Sequence, residues 1–191
     1  PAPLFNSEVV GSVFDTLMLD IIGPLSVTKS GNRFLLNIVD LTSHFPIVIP
    51  LQRHTAEDVS HALLQVFCSY GFPKTLRSDN ATENCSNIFR EVCRTFQIEH
   101  KLGSIYRPES QAVCERYGRS LKSMLKAITM SFVDDWDECL DYALWSYRET
   151  PVEGLGFSPF EMLFGRSPIG PLARLKETWS IKSPEEIPKN N

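Results

Sequence analysis

Three acidic residues stand where acids are either costly or oddly placed. Asp20 interrupts the apolar run Leu17-Met18-Leu19-Asp20-Ile21-Ile22. A carboxylate inside such a strand is expensive unless it is paired, hydrogen-bonded or holding a cation. Strand alternation sends Leu17, Leu19 and Ile21 to one face, and Met18, Asp20 and Ile22 to the other. Asp79 follows the short segment Thr75–Ser78, and ligand groups gather at the carboxyl ends of strands in open α/β sheets. Glu115 falls one turn into a long helical pattern. Each has an ordinary alternative: a loop cap for Asp20, an Asx turn for Asp79, an exposed helical acid for Glu115. Asp15 and Asp40 compete with Asp20. Asp40 is followed by Leu41-Thr42-Ser43, which marks it as a turn former.

The set gains force from the chemistry it would support. Two divalent ions about 3.5–4 Å apart need carboxylates converging from different elements, one of them bridging. Hard ions such as Mg²⁺ or Mn²⁺ take oxygen ligands, so Asp and Glu suffice. No histidine or cysteine cluster competes for the role. His44, His54, His61 and His100 are dispersed, and the five cysteines (Cys68, Cys85, Cys93, Cys114, Cys139) show no C-x-x-C spacing. The cysteines read as small buried residues in a reducing, intracellular setting rather than as a disulfide framework.

The elements that must position these acids can be read along the chain. Residues 14–22 form a first strand closed by Gly23-Pro24, residues 33–39 a second, and residues 45–51 a third. Pro46 and Pro50 push the third strand to a sheet edge, and the short connections predict an antiparallel meander. Thr55 begins a helix with Asp58 in the capping-box position; Val59, Leu63, Val66 and Phe67 line it, and Gly71 ends it. Thr75–Ser78 is a short strand, residues 86–96 a helix with Ile88, Val92 and Phe96 on one face, and residues 97–102 a fifth strand. A long helix spans residues 110–130, with Val113, Tyr117, Leu121, Met124 and Ile128 at helical spacing. Another covers residues 136–148 through Trp136, Leu140, Leu144 and Tyr147. Ser158-Pro159-Phe160-Glu161 opens the last one, which stops at Gly165.

Three strands before the first helix rule out simple β-α alternation. The expected class is α/β, a mixed five-stranded sheet flanked by helices. In one arrangement of this order, the first and fourth strands lie side by side and bring Asp20 beside Asp79. Residues 12–166 are read as the core, with residues 1–11 and 167–191 as tails or linkers. No apolar run reaches the roughly 18 residues of a membrane span, so no membrane partner is expected. A hydrophobic fraction of 42% with 22% charged residues is globular composition.

These residues resemble a known family. Asp20, Asp79 and Glu115, with 35 residues between the last two, are similar to the Asp, Asp-x35-Glu signature of retroviral and gypsy-class long-terminal-repeat retrotransposon integrases. Supporting stretches run from Asp20-Ile21-Ile22-Gly23-Pro24-Leu25 through Gly71-Phe72-Pro73, Ser78-Asp79-Asn80, Tyr106-Arg107-Pro108-Glu109-Ser110 and Glu115-Arg116. They continue in Tyr147-Arg148-Glu149-Thr150-Pro151 and Gly156-Phe157-Ser158-Pro159-Phe160-Glu161. The resemblance implies an RNase H-like catalytic core, two Mg²⁺ or Mn²⁺ ions on the three acids, and a homo-oligomeric working state. It implies 3′-end processing and strand transfer, with element ends and target DNA as partners and a nuclear place of work.

The chain also departs from that pattern. Ala81 replaces a usual glycine and Asn84 an aromatic after Asp79. Arg107, Glu109, Ala112 and Gly118 replace the family's His, Gln, Gly and Asn around Glu115. These changes motivate an alternative, a domesticated domain with weakened or lost catalysis that serves as a binding module. An RNase H-like nuclease is a further alternative.

A net charge of −4 weighs against a strong stand-alone nucleic-acid binder. The long helix answers in part. Glu115, Arg119, Lys122 and Lys126 fall at i, i+4, i+7 and i+11, one stripe. Arg107 and Arg116 are candidates to join it in holding phosphates near the acids. The core's own DNA affinity is expected to be weak.

Overall fold

The computed structural model describes residues 11–78, 87–102, 119–120, 123–128, 130–131, 136–152, 155–170 and 174. Five strands form one sheet: β1 (Thr16–Ile22), β2 (Phe34–Asp40), β3 (Pro46–Leu51), β4 (Thr75–Ser78) and β5 (Glu99–Leu102). Their order is β3-β2-β1-β4-β5. The first three pair antiparallel, as the meander requires, and β1, β4 and β5 pair parallel. The proline-bearing β3 is an edge strand, because a residue without an N–H cannot serve a central ladder.

Helices α1 (Ala56–Tyr70) and α2 (Asn87–Thr95), the helical residues 123–128 (α3), α4 (Trp136–Glu149) and α5 (Pro159–Phe164) complete the described elements. The start of α1 is set by Thr55, whose side chain accepts from the Asp58 N–H and whose hydroxyl donates to the Asp58 carboxylate at 2.7 Å. Its end is set by Gly71, with φ 109° and its N–H donated to the Phe67 carbonyl. Glycine tolerates that backbone where a Cβ would not. Ser158 and Glu161 make a reciprocal capping box at α5.

Two cores lie on opposite faces of the sheet. The first gathers Leu17, Leu19, Leu36 and Ile38 with Val59, Leu63, Val66 and Phe67 of α1 and Phe160 of α5. The second gathers Leu35, Val39 and Val48 with Leu125 of α3 and Trp136, Leu140 and Leu144 of α4. Alternation along β1 and β2 therefore feeds one face and then the other. No described helix is long and apolar enough to cross a membrane.

Several sequence expectations need correction. Strand β1 begins at Thr16, not residue 14, because Phe14 adopts φ 68° and buries its ring against Tyr70 at 5.6 Å. A left-handed residue cannot continue a pleat. Likewise β5 begins at Glu99, after Gln97 at φ 55°. Among the described side chains of α2 the buried residue is Cys93, while Phe96, just beyond its end, is 41% exposed and packs on Phe72 at 4.8 Å. Of the three described cysteines only Cys93 is buried; Cys68 is exposed and Cys139 intermediate. Burial pushes the Cys93 thiol up to about 11, which makes it an inert apolar residue. On α3 the buried contact is Leu125, with Met124 and Ile128 only partly covered.

Candidate active site

Asp20 sits near the end of β1 on the face that carries the second core, with Ile22 two residues on packing into that core. It is half-buried. Its strand is held on both sides. On one side Asp20 lies opposite Asn37 of β2 in the antiparallel ladder. On the other, Leu19 lies opposite Ser78 of β4 in the parallel ladder. Side-by-side placement of the first and fourth strands is thus realised.

Beyond Asp20 the strand is closed sharply. Gly23 has φ 144°, and a Cβ there would meet the Phe34 ring at 2.6 Å and the Arg33 carbonyl at 2.8 Å. Only glycine lets the chain pass so close to the start of β2.

The strand that leads to Asp79 ends in Ser78, which is 2% exposed. Its Oγ shares a 2.8 Å hydrogen bond with Nε2 of His100, on neighbouring β5. Burial, and after it the charge of Arg90, push the His100 imidazole below its ordinary value. Asp79 and Glu115 lie outside the described residues, as do Arg107, Arg116 and Lys122. Of the basic stripe, Arg119 and Lys126 are described, both exposed on helical residues seven apart.

The competing carboxylates have structural duties. Asp40 accepts from the Ser43 hydroxyl at 2.6 Å and the Ser43 N–H at 3.0 Å, closing the β2–β3 turn. Asp15 pairs with Lys74 at 2.7 Å. Asp137 accepts from Thr28 and Asn32 at 2.9 and 2.8 Å. Among the described residues no group of three His, Cys, Asp or Glu converges on one point.

The helix over this face is fixed at both ends. At its start, Trp136 donates its indole N–H to the Ser26 carbonyl at 2.8 Å, beside the Asp137 contacts. At its end, Arg148 donates to the Pro46 carbonyl. The loop after Asp20 and the edge strand are thereby tied to one rigid rod.

One residue of the site escaped the sequence reading. Asn37 is 5% exposed, and its Oδ1 has no hydrogen-bond partner. The signal was present: a polar residue inside Phe34-Leu35-Leu36-Asn37-Ile38-Val39, the same anomaly that singles out Asp20. The donor chemistry suits a hard cation, since Asp20 contributes carboxylate oxygens and Asn37 an unsatisfied carbonyl oxygen on the same sheet face.

The five-stranded mixed sheet with helices on both faces is an RNase H-like fold. It superimposes on the HTLV-2 integrase catalytic core domain, a trimeric form in complex with magnesium, with a TM-score of 0.62 at 19% identity, covering 80% of this chain and 97% of that one. A family model described as "Integrase core domain" matches residues 14–108. The retrovirus-related Pol polyprotein from transposon 412 of Drosophila melanogaster is 28% identical over 167 residues, 86% of this chain and 13% of that polyprotein. The Pol polyprotein of feline endogenous virus ECE1 is 34% identical over 158 residues, 82% of this chain and 15% of that protein. Through residues 14–108 the chain belongs to the integrase core domain family.

Proposed function

We propose that this chain is the catalytic core of a DNA integrase, a divalent-metal-dependent polynucleotidyl transferase that trims element 3′ ends and joins them to target DNA. The observation that carries the reading is the parallel pairing of β1 with β4. Leu19 lies opposite Ser78, and the next residues in the chain are Asp20 and Asp79. Membership of the integrase core family and the likeness to retroviral and transposon Pol polyproteins support it.

Asp20, Asp79 and Glu115 would hold two Mg²⁺ or Mn²⁺ ions, which supply Lewis-acid stabilisation of the attacking and leaving oxygens in phosphoryl transfer. The protein's own contribution is positioning. A carboxylate on a strand clamped from both sides keeps its place better than one on a loop. Arg119, Lys122, Lys126, Arg107 and Arg116 would hold DNA phosphates, which sets register without reading sequence. Element ends and target DNA are the proposed partners, a homo-oligomer the working form, and the nucleus its place of work.

Substituted neighbours at Ala81, Asn84, Arg107, Glu109, Ala112 and Gly118, with a net charge of −4, favour one second reading: a domesticated core with weakened catalysis. An oligonucleotide duplex incubated with the chain and Mn²⁺ separates the possibilities. Products longer than the substrate support the transferase, and Asp79→Asn or Glu115→Gln should abolish them without unfolding the chain. Shortened products alone indicate a nuclease. No product from a folded chain indicates a binding module.

A further inference from the structure

Asn37 occupies the middle of β2, opposite Asp20 on one side and Val48 of β3 on the other. Strand alternation places it on the face of Leu35 and Val39, two members of the second core. Val48 and Leu125 of the same cluster are also apolar. A carbonyl oxygen in such company finds no donor, and Asn37 Oδ1 has none. The polar side chain in register with it is Asp20, which as a carboxylate can only accept. Neither Asn37 Oδ1 nor the Asp20 carboxylate can donate to the other, although Asn37 Nδ2 can donate to Asp20. The two side chains stand opposite across the ladder, with Cβ atoms about 4.5–5.5 Å apart as for any directly opposed pair. A buried acceptor without a donor is rare enough in folded proteins to call for an explanation such as an ion or an ordered water.

We propose that Asn37 is a positioning residue for the cation held by Asp20, its Oδ1 accepting a hydrogen bond from a water in that cation's hydration shell. This rests on the two-cation reading above. Mg²⁺ gives up its waters reluctantly and keeps several of them when bound by one or two carboxylates. Such waters are strong donors, and Asn37 lies where one of them would meet an unsatisfied oxygen. Asn37 is more deeply buried than Asp20, so it backs the carboxylate instead of replacing it. The pair fixes the orientation of the hydrated ion as outer partners fix first ligands in other metal centres.

The test compares the chain with Asn37→Leu, Asn37→Asp and Asp20→Asn by calorimetric Mn²⁺ titration and by melting with and without Mn²⁺. Asn37→Leu should weaken Mn²⁺ binding about tenfold or more, the usual effect of losing an outer partner. Its melting temperature without metal should equal or exceed that of the parent, because an orphaned acceptor has been removed. Asn37→Asp should bind Mn²⁺ more tightly than the parent and melt lower without it. Mn²⁺ affinity of Asn37→Leu within about twofold of the parent, while Asp20→Asn abolishes binding, overturns the role of Asn37 and leaves the metal centre standing. If Asn37→Leu does not fold, an Asn37→Asp affinity no greater than the parent's overturns it equally. A parent chain that binds no Mn²⁺, or whose binding survives Asp20→Asn, overturns the two-cation reading itself, and this inference with it.

Discussion

Arg148 reaches from the last turn of α4 to the carbonyl of Pro46, with Nε at 3.1 Å and a terminal nitrogen at 2.8 Å, and lays its guanidinium 4.6 Å from the centroid of the Phe45 ring. One side chain therefore joins the helix of the second core to the start of the edge strand. Arg148→Ala should lower unfolding free energy by about 2 kcal/mol, the sum expected of a charge-assisted hydrogen bond and a cation–ring contact. Arg148→Lys should recover less than half, since an ammonium lacks the planar fork. Urea titration of the three chains checks this.

At the other end of the same helix, Asp137 gathers Thr28 and Asn32. Burial works to raise its pKa, but hydrogen bonds from Asn32, Thr28 and the local backbone outweigh it and hold the carboxyl below 3.8. A lowered carboxyl contributes stability above its unfolded value and loses it as pH falls through the folded one. Asp137→Ala should cost about 1–2 kcal/mol at pH 7. The variant should also lose less stability than the parent on acidification below about pH 4, measurable by melting at stepped pH.

His44 is 8% exposed with φ 59°. Burial pushes its imidazole below 6.5, partly offset by Asp40. Protons then bind the unfolded chain more readily, so stability is full above about 6.5 and falls as pH drops below it. His100 shifts in the same direction. The melting temperature should decline between pH 7 and pH 5, and His44→Asn should flatten that decline. Asparagine accepts the left-handed backbone, so an equally steep decline in the variant would remove His44 as the cause.

The basic residues proposed to meet DNA make a salt-dependent prediction. Arg119→Glu combined with Lys122→Glu should weaken binding to a DNA duplex and reduce the slope of log affinity against log salt, because fewer counterions are released. An unchanged slope would show that these groups do not touch phosphates.

Much of the architecture was legible because it rests on local chemistry. Thr55, Gly71, Ser158 and Gly165 act as caps through hydrogen bonds their own sequence neighbours supply. Pro46 and Pro50 sent β3 to the edge for a reason visible in one residue type. The turn-forming role expected of Asp40 is realised, since Ser43 follows Asp40 and binds it.

What stayed hidden depended on contacts distant in sequence. Phe14 leaves the strand because Tyr70, far along the chain, receives its ring. Phe96 looks like a core residue by helical spacing, yet it pairs with Phe72 near the surface while Cys93 faces inward. Asn37 was passed over because a single amide in a strand is commonly satisfied. That its Oδ1 is not becomes visible only when β1 and β3 are laid on either side.

The outer margin of β3 has a consequence for how copies of this chain can meet. Asp40 donates its N–H to Phe45 at 3.1 Å, so odd-numbered residues of β3 turn towards β2 and Pro46, Val48 and Pro50 turn outwards. Two of those three outward positions have no N–H to offer, and the Pro46 oxygen is already taken by Arg148. A foreign strand laid along this border would find Val48 as its sole donor. Self-templated stacking into ribbons is blocked on that flank, leaving the rest of the surface to build any higher-order particle.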